Sequence, residues 1–158
     1  MTRPIPEGYH SVTPYLIVDD ASRAIEFYKE AFGAEEKFRL PAGKRIDHAE
    51  IKIGDSVVML ADELPEMEHL GPKSRGGSPV SLLIYLPNVD ASFERAIKAG
   101  AKETRPVENQ FWGDRTGTLT DPFGHQWSLA THVEDVPQNE LMRRLQQARS
   151  KQTQTEPA

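Results

Sequence analysis

The stretch Phe111–Leu129, FWGDRTGTLTDPFGHQWSL, decides the fold. Thr116, Thr118 and Thr120 alternate with Gly117 and Leu119, the period of two that gives a strand two different faces. Asp121-Pro122-Phe123-Gly124 supplies a tight turn, with Pro where its fixed φ is wanted and Gly where positive φ is tolerated. Gln126–Ala130 then reads as the returning strand. Ahead of this hairpin, Phe111, Trp112, Asp114 and Arg115 set two aromatic faces beside a carboxylate and a guanidinium. That mixture suits a small polar or anionic ligand. An ordinary hairpin whose aromatics fill a core has the same composition, so both readings stand.

The same grammar occurs earlier in the chain. Val12–Val18 is rich in β-branched and aromatic residues and predicts a first strand, placed at a sheet edge or in an interrupted ladder by Pro14. Asp19 and Asp20 can cap a helix over Ala21–Phe32, whose Ala21, Ala24, Ile25, Tyr28, Ala31 and Phe32 share one face. Gly33 fits its left-handed C-terminal position. Strands follow at Glu35–Leu40, Arg45–Ile53 and Ser56–Ala61, the last two joined at Gly54-Asp55. After an aperiodic stretch, Asp62–Pro79, a strand at Val80–Leu86 leads to a helix capped by Asn88 or Asp90 and running to Lys98. Strands at Glu103–Val107, Arg115–Thr120 and Gln126–Ala130 complete the set.

Asp20-Ala21-Ser22 matches Asp90-Ala91-Ser92 seventy positions on, and Gly54 matches Gly124 at the same spacing. One β-α-β-β-β unit is used twice, and a half of this size cannot bury its sheet alone. The expected fold is α+β: two βαβββ modules forming a curved mixed sheet with helices outside and a concave cup inside. The organisation reads as an extension (1–11), a first module (12–62), a linker or mobile flap (63–79), a second module (80–132), and a C-terminal segment (133–158). In that segment Leu141, Met142 and Leu145 predict a short amphipathic helix, and Ser150–Ala158 a polar disordered tail.

Bulk properties narrow the function. The 158 residues suit one domain, or two small modules sharing a core. A net charge of −5 with scattered Lys and Arg argues against nucleic acid and anionic membrane as partners. No apolar run is long enough to span a bilayer, and the N-terminal MTRPIPEGYH lacks the apolar stretch of a secretion signal. The absence of cysteine excludes disulfide and thiolate chemistry and agrees with a cytoplasmic location.

With these words at these places, the chain resembles the vicinal-oxygen-chelate superfamily of glyoxalase I, bleomycin-resistance proteins, fosfomycin-modifying enzymes and extradiol dioxygenases. Within it the PhnB-like branch is the nearest match. The carrying segments are Thr13–Glu36, His48–Asp62, Gly77–Ala101 and Arg105–Asp135. The resemblance implies a cup holding a divalent metal through His, Gln or Glu. Aligned on Phe27-Tyr28, on Asp90 and on the Asp-Pro-Phe-Gly turn, those positions fall on Thr13, Ser81 and Ser128. Neutral hydroxyls are poor ligands for transition metals, so neither a metal nor another cofactor is expected.

A displaced site is the alternative. His48 and Glu50 share a face of one strand opposite Ala49, Ile51 and Ile53, and His125 stands at the second turn. These groups either converge on a metal, act as proton carriers, or serve as hydrogen-bonding and turn-stabilising residues. His10, His69 and His132 have no partner visible in the sequence. The expected ligand-binding set is Thr13, Tyr15, His48, Glu50, Ser81, Phe111, Trp112, Arg115 and Ser128. Arg115 would grip a carboxylate or phosphate, or else lock its loop through an ion pair; Phe111 and Trp112 would form a stacking wall. The function expected is binding of a small anionic or aromatic molecule in a homodimer, with an enzyme using His48 and Glu50 as the alternative.

Overall fold

The computed structural model describes residues 1–155. The first module comprises β1 (Tyr15–Val18), α1 (Ala21–Phe32), β2 (Glu35–Ala42), β3 (Arg45–Ile53) and β4 (Ser56–Asp62). A connection with a 3₁₀ turn at Pro65–Met67 and a short helix α2 (Pro72–Arg75) follows. The second module comprises β5 (Ser81–Tyr85), α3 (Val89–Ala99), β6 (Lys102–Asn109), β7 (Asp114–Thr120) and β8 (Gln126–His132), and α4 (Gln138–Thr155) is the last described element.

The eight strands divide into two mixed sheets of four, ordered β1-β4-β3-β2 and β5-β8-β7-β6. In each, the first strand runs parallel to the last and the other pairs are antiparallel. The α+β class and the doubled unit are as the sequence predicts. Pro14 lies just outside β1, an edge strand, and its carbonyl accepts from the Met59 amide at 2.9 Å.

Both helices start and stop where local chemistry requires. The Asp20 carboxylate accepts from the Arg23 amide, and the Asn88 side chain from the Ala91 amide. Gly33 takes φ +68° and closes α1 with amide bonds back to the last turn. The apolar face of α1 and that of α3 pack their own sheets and each other, joining the modules in one core. Trp127 of β8 sits among Tyr28 and Phe32 of α1, with ring centroids 5.4 and 4.9 Å away. The buried Asp121 carboxylate ties this seam. It accepts from the Tyr28 hydroxyl (2.5 Å), the Trp127 indole (2.9 Å) and the amides of Phe123 and His125.

The connection 63–79 has local structure of its own, with Ser74 donating to the Glu63 carboxylate and Leu64 paired with His69. One expectation changes. From Ser150 to Thr155 the chain continues α4 instead of becoming disordered. Gln, Arg and Lys favour helix, and the Ser150 and Thr153 hydroxyls donate back to carbonyls one turn earlier. The remainder of the expected tail, 156–158, lies outside the described residues. No described helix is long and apolar enough to cross a membrane.

Candidate functional site

Alternation along each strand gives the first sheet a core side, with Leu16, Val18, Ala49, Ile51, Val58 and Leu60, and an open side. Strand register sets Tyr15, Met59, Glu50 and Phe38 in one row across the open side, with Leu40 beside His48 in the next. The step from Leu40↔His48 to Pro41↔Ile46 leaves Asp47 bulged, which returns Ile46 to the core.

Four side chains form a hydrogen-bonded chain on this face. Tyr15 Oη meets His48 Nδ1 at 2.8 Å, and His48 Nε2 meets Glu50 Oε2 at 2.8 Å. The Tyr9 hydroxyl donates to Glu50 Oε1. Glu50 is only 5 % exposed, whereas Tyr15 is 48 % exposed. Burial pushes the Glu50 carboxyl pKa up, but the hydrogen bonds from Tyr9 and His48, with the Lys37 charge nearby, hold it below the ordinary value. Burial, with Glu50 and Asp47 nearby, raises the Tyr15 phenol. The His48 ring lies 5.4 Å from Tyr15 and 5.8 Å from Phe38, between centroids. Tyr9 belongs to an N-terminal strap held by Lys37 over its ring and by His10 on the Asp55 carbonyl. Between strap and sheet lies a groove of ≈ 360 Å³ that reaches Thr13, Glu50 and Met59.

The second sheet has a matching open side. Leu83, Ser128, Thr118 and Arg105 form one row, and Tyr85, Ala130, Thr116 and Glu108 the next. Tyr85 Oη donates to Asp114 Oδ2 at 2.8 Å. His132 Nδ1 meets Asp114 Oδ1 and its Nε2 meets Asp135 Oδ1, each at 2.7 Å. Burial raises the Asp114 pKa, but the bonds from His132 and Tyr85 outweigh it and hold the group low; Trp112 adds to this. The Asp114 and Asp135 carboxylates raise His132.

The expected residues therefore divide. Thr13, Tyr15, His48 and Glu50 gather at the first sheet. Ser81 and Ser128 lie on the open side of the second, with Trp112 close to Asp114 and packed edge-on to Phe111 at 5.1 Å. Arg115 points to the helix side, where Asp90 at the start of α3 takes both its Nε and Nη2 at 2.8 Å. His125 bonds the Ile17 carbonyl at 2.9 Å and so ties the second hairpin to β1. No hydrogen bond, salt bridge or aromatic contact joins the two open faces among the described residues. Tyr9, Phe38, Leu40, Met59, Tyr85 and Asp114 complete the two faces. Tyr85 was open to discovery, standing seventy positions after Tyr15, and Asp114 continues the alternation of Thr116 and Thr118. Nothing local marks Tyr9.

The hydroxyl positions do not fit a divalent metal. Thr13 Oγ1 donates to the His10 carbonyl and Ser128 shares a bond with Thr118, while Ser81 sits on the other sheet from Thr13. Among the described residues, no three His, Cys, Asp or Glu side chains converge as a metal cluster.

Two sheets of this order, each crossed by one helix and each offering an open face, define the class. Residues 8–129 match the family model of the Glyoxalase/Bleomycin resistance protein/Dioxygenase superfamily, and the chain belongs to that superfamily. Its similarity reaches 45% identity over 136 residues with an uncharacterised protein of Mycobacterium bovis, covering 83% of this chain and 89% of the relative. Among solved structures it resembles TioX from Micromonospora sp. ML1, at 27% identity and a TM-score of 0.62, covering 78% of this chain and 99% of that one. A gene product of Arabidopsis thaliana aligns with a TM-score of 0.63 at 27% identity, covering 77% and 98%.

Proposed function

We propose that this protein binds a small, largely aromatic molecule on the open face of its first sheet, without a divalent metal. The observation that carries this reading is a buried, ionised Glu50, bridged through His48 to an accessible Tyr15 among Phe38, Leu40 and Met59. A polar chain rooted under an otherwise apolar face is the composition of a ligand site. Within the superfamily we place the chain in the PhnB-like branch and in the cytoplasm, on its sequence pattern and lack of cysteine.

The working form we propose is a homodimer in which the second sheet of one copy closes over the first sheet of the other. Both open faces leave large apolar residues uncovered, Leu40 at 54 %, Leu83 at 50 % and Tyr85 at 62 %. Ser81, Ser128 and the Tyr85–Asp114 pair would then roof a site floored by Tyr15 and His48. The Tyr15–His48–Glu50 chain also favours a second reading, an acid–base enzyme of the same superfamily with His48 and Glu50 as proton carriers.

A thermal-shift screen of small aromatic compounds, paired with sedimentation velocity, tests the main reading. Binding must raise the melting temperature, and His48→Ala must remove the shift. Leu83→Asp must shift the protein from dimer to monomer. One bound metal per chain, lost in His48→Ala, would replace this reading with a metal-dependent one.

A further inference from the structure

We infer that Tyr15 presents a hydrogen-bond acceptor to the bound molecule, so that the site selects neutral aromatic compounds carrying an O–H or N–H donor, phenols above all. The inference rests on the binding reading given above and names the ligand class for that face.

The argument follows the protons. An ionised carboxylate only accepts hydrogen bonds. Both Glu50 oxygens are engaged, one by the Tyr9 hydroxyl and one by His48 Nε2, so the proton on the latter contact belongs to His48. A neutral imidazole protonated at Nε2 has Nδ1 as an acceptor. The partner of Nδ1 is Tyr15 Oη at 2.8 Å, and Tyr15 must therefore donate inward. The phenol has one hydrogen and has spent it. What remains toward the open face is an oxygen lone pair.

Charge points the same way. The ionised groups acting on Tyr15 are Glu50 and Asp47, both negative. Lys37 is held against the Tyr9 ring, on the strap. An anion placed at Tyr15 meets two carboxylates and a lone pair. A neutral donor instead extends one directed chain, ligand to Tyr15 to His48 to Glu50, in which each bond polarises the next. Phe38, Leu40 and Met59 supply the apolar wall that an aromatic ring needs.

The test is a matched set titrated against the full-length protein: p-cresol, toluene and benzoate, followed by ligand-observed NMR. With His48 neutral, p-cresol should bind about tenfold more tightly than toluene, and benzoate more weakly than both. Tyr15→Phe should erase the preference while keeping toluene binding. The ¹⁵N spectrum of the His48 ring should show the proton on Nε2. Equal binding of p-cresol and toluene, tighter benzoate, or a proton on Nδ1 alone overturns the inference and leaves the binding reading standing. If none of the three compounds binds, both fall.

Discussion

Tyr15 and Tyr85 both stand on the edge strand that opens their module, and each reaches across its sheet to a residue on the module's third strand. Tyr15 bonds the His48 imidazole and Tyr85 the Asp114 carboxylate, both at 2.8 Å. The doubled backbone has thus placed one phenol against a titratable ring and its counterpart against an anion. In the first module the histidine is the middle of the chain. In the second it stands one place further out, where His132 bridges Asp114 and Asp135.

That difference predicts a pH dependence. His132 is raised in the folded state, so its contribution to stability is present below the free imidazole value and is lost as pH rises through the raised one. Asp114 is lowered, so its contribution is present above the free carboxyl value and is lost as pH falls through the lowered one. An NMR titration should place the His132 midpoint above the ordinary value of about 6.5. Asp114→Asn should bring it down; an unchanged midpoint would show that the Asp114 contact does not set it.

Asp121 should be among the most costly carboxylates to remove. Its substitution strands the Tyr28 hydroxyl and the Trp127 indole inside the core that joins the modules. Asp121→Ala should cost about 4 kcal/mol and Tyr28→Phe about 1.5 kcal/mol in urea unfolding. Equal, small losses would mean that the seam is held by its apolar contacts alone.

Gly117 is constrained by space rather than by conformation. A Cβ there would stand 2.7 Å from Val107 Cγ2 and 2.8 Å from the Phe93 ring. Gly117→Ala should destabilise the protein by about 2 kcal/mol through overpacking between α3 and the second sheet. Chemical denaturation checks this, and Phe93→Leu in the same chain should recover part of the loss.

Arg115 provides the opposite case. With its guanidinium committed to Asp90 on the helix side, Arg115→Ala should leave binding of an aromatic ligand at the first sheet unchanged. A tenfold or greater loss of affinity would return Arg115 to the binding site.

Much of the architecture was legible because it is written in local chemistry. The alternation of Thr116, Thr118 and Thr120, the Asp20 and Asn88 caps, and the helix-ending glycines each act over a few residues. The recurrence of caps and glycines in the same order in both halves carried the doubled module and the expected family. One local reading went further than the chemistry allowed. The sequence from Ser150 is polar yet rich in helix formers, and it stays helical through Thr155.

The sequence by itself also determined that His48 and Glu50 share a face, since residues two apart on a strand must do so. Only the tertiary structure decided what that face meets. Tyr9 comes to Glu50 across 41 positions and Tyr15 to His48 across 33, contacts that no local pattern encodes. The side taken by Arg115 was equally out of reach, because alternation states that two faces exist but not which one the core will claim. The helix seam made that choice. By burying α1 against α3 and Trp127, it turned the phenol of Tyr15 outward and the guanidinium of Arg115 toward the helices.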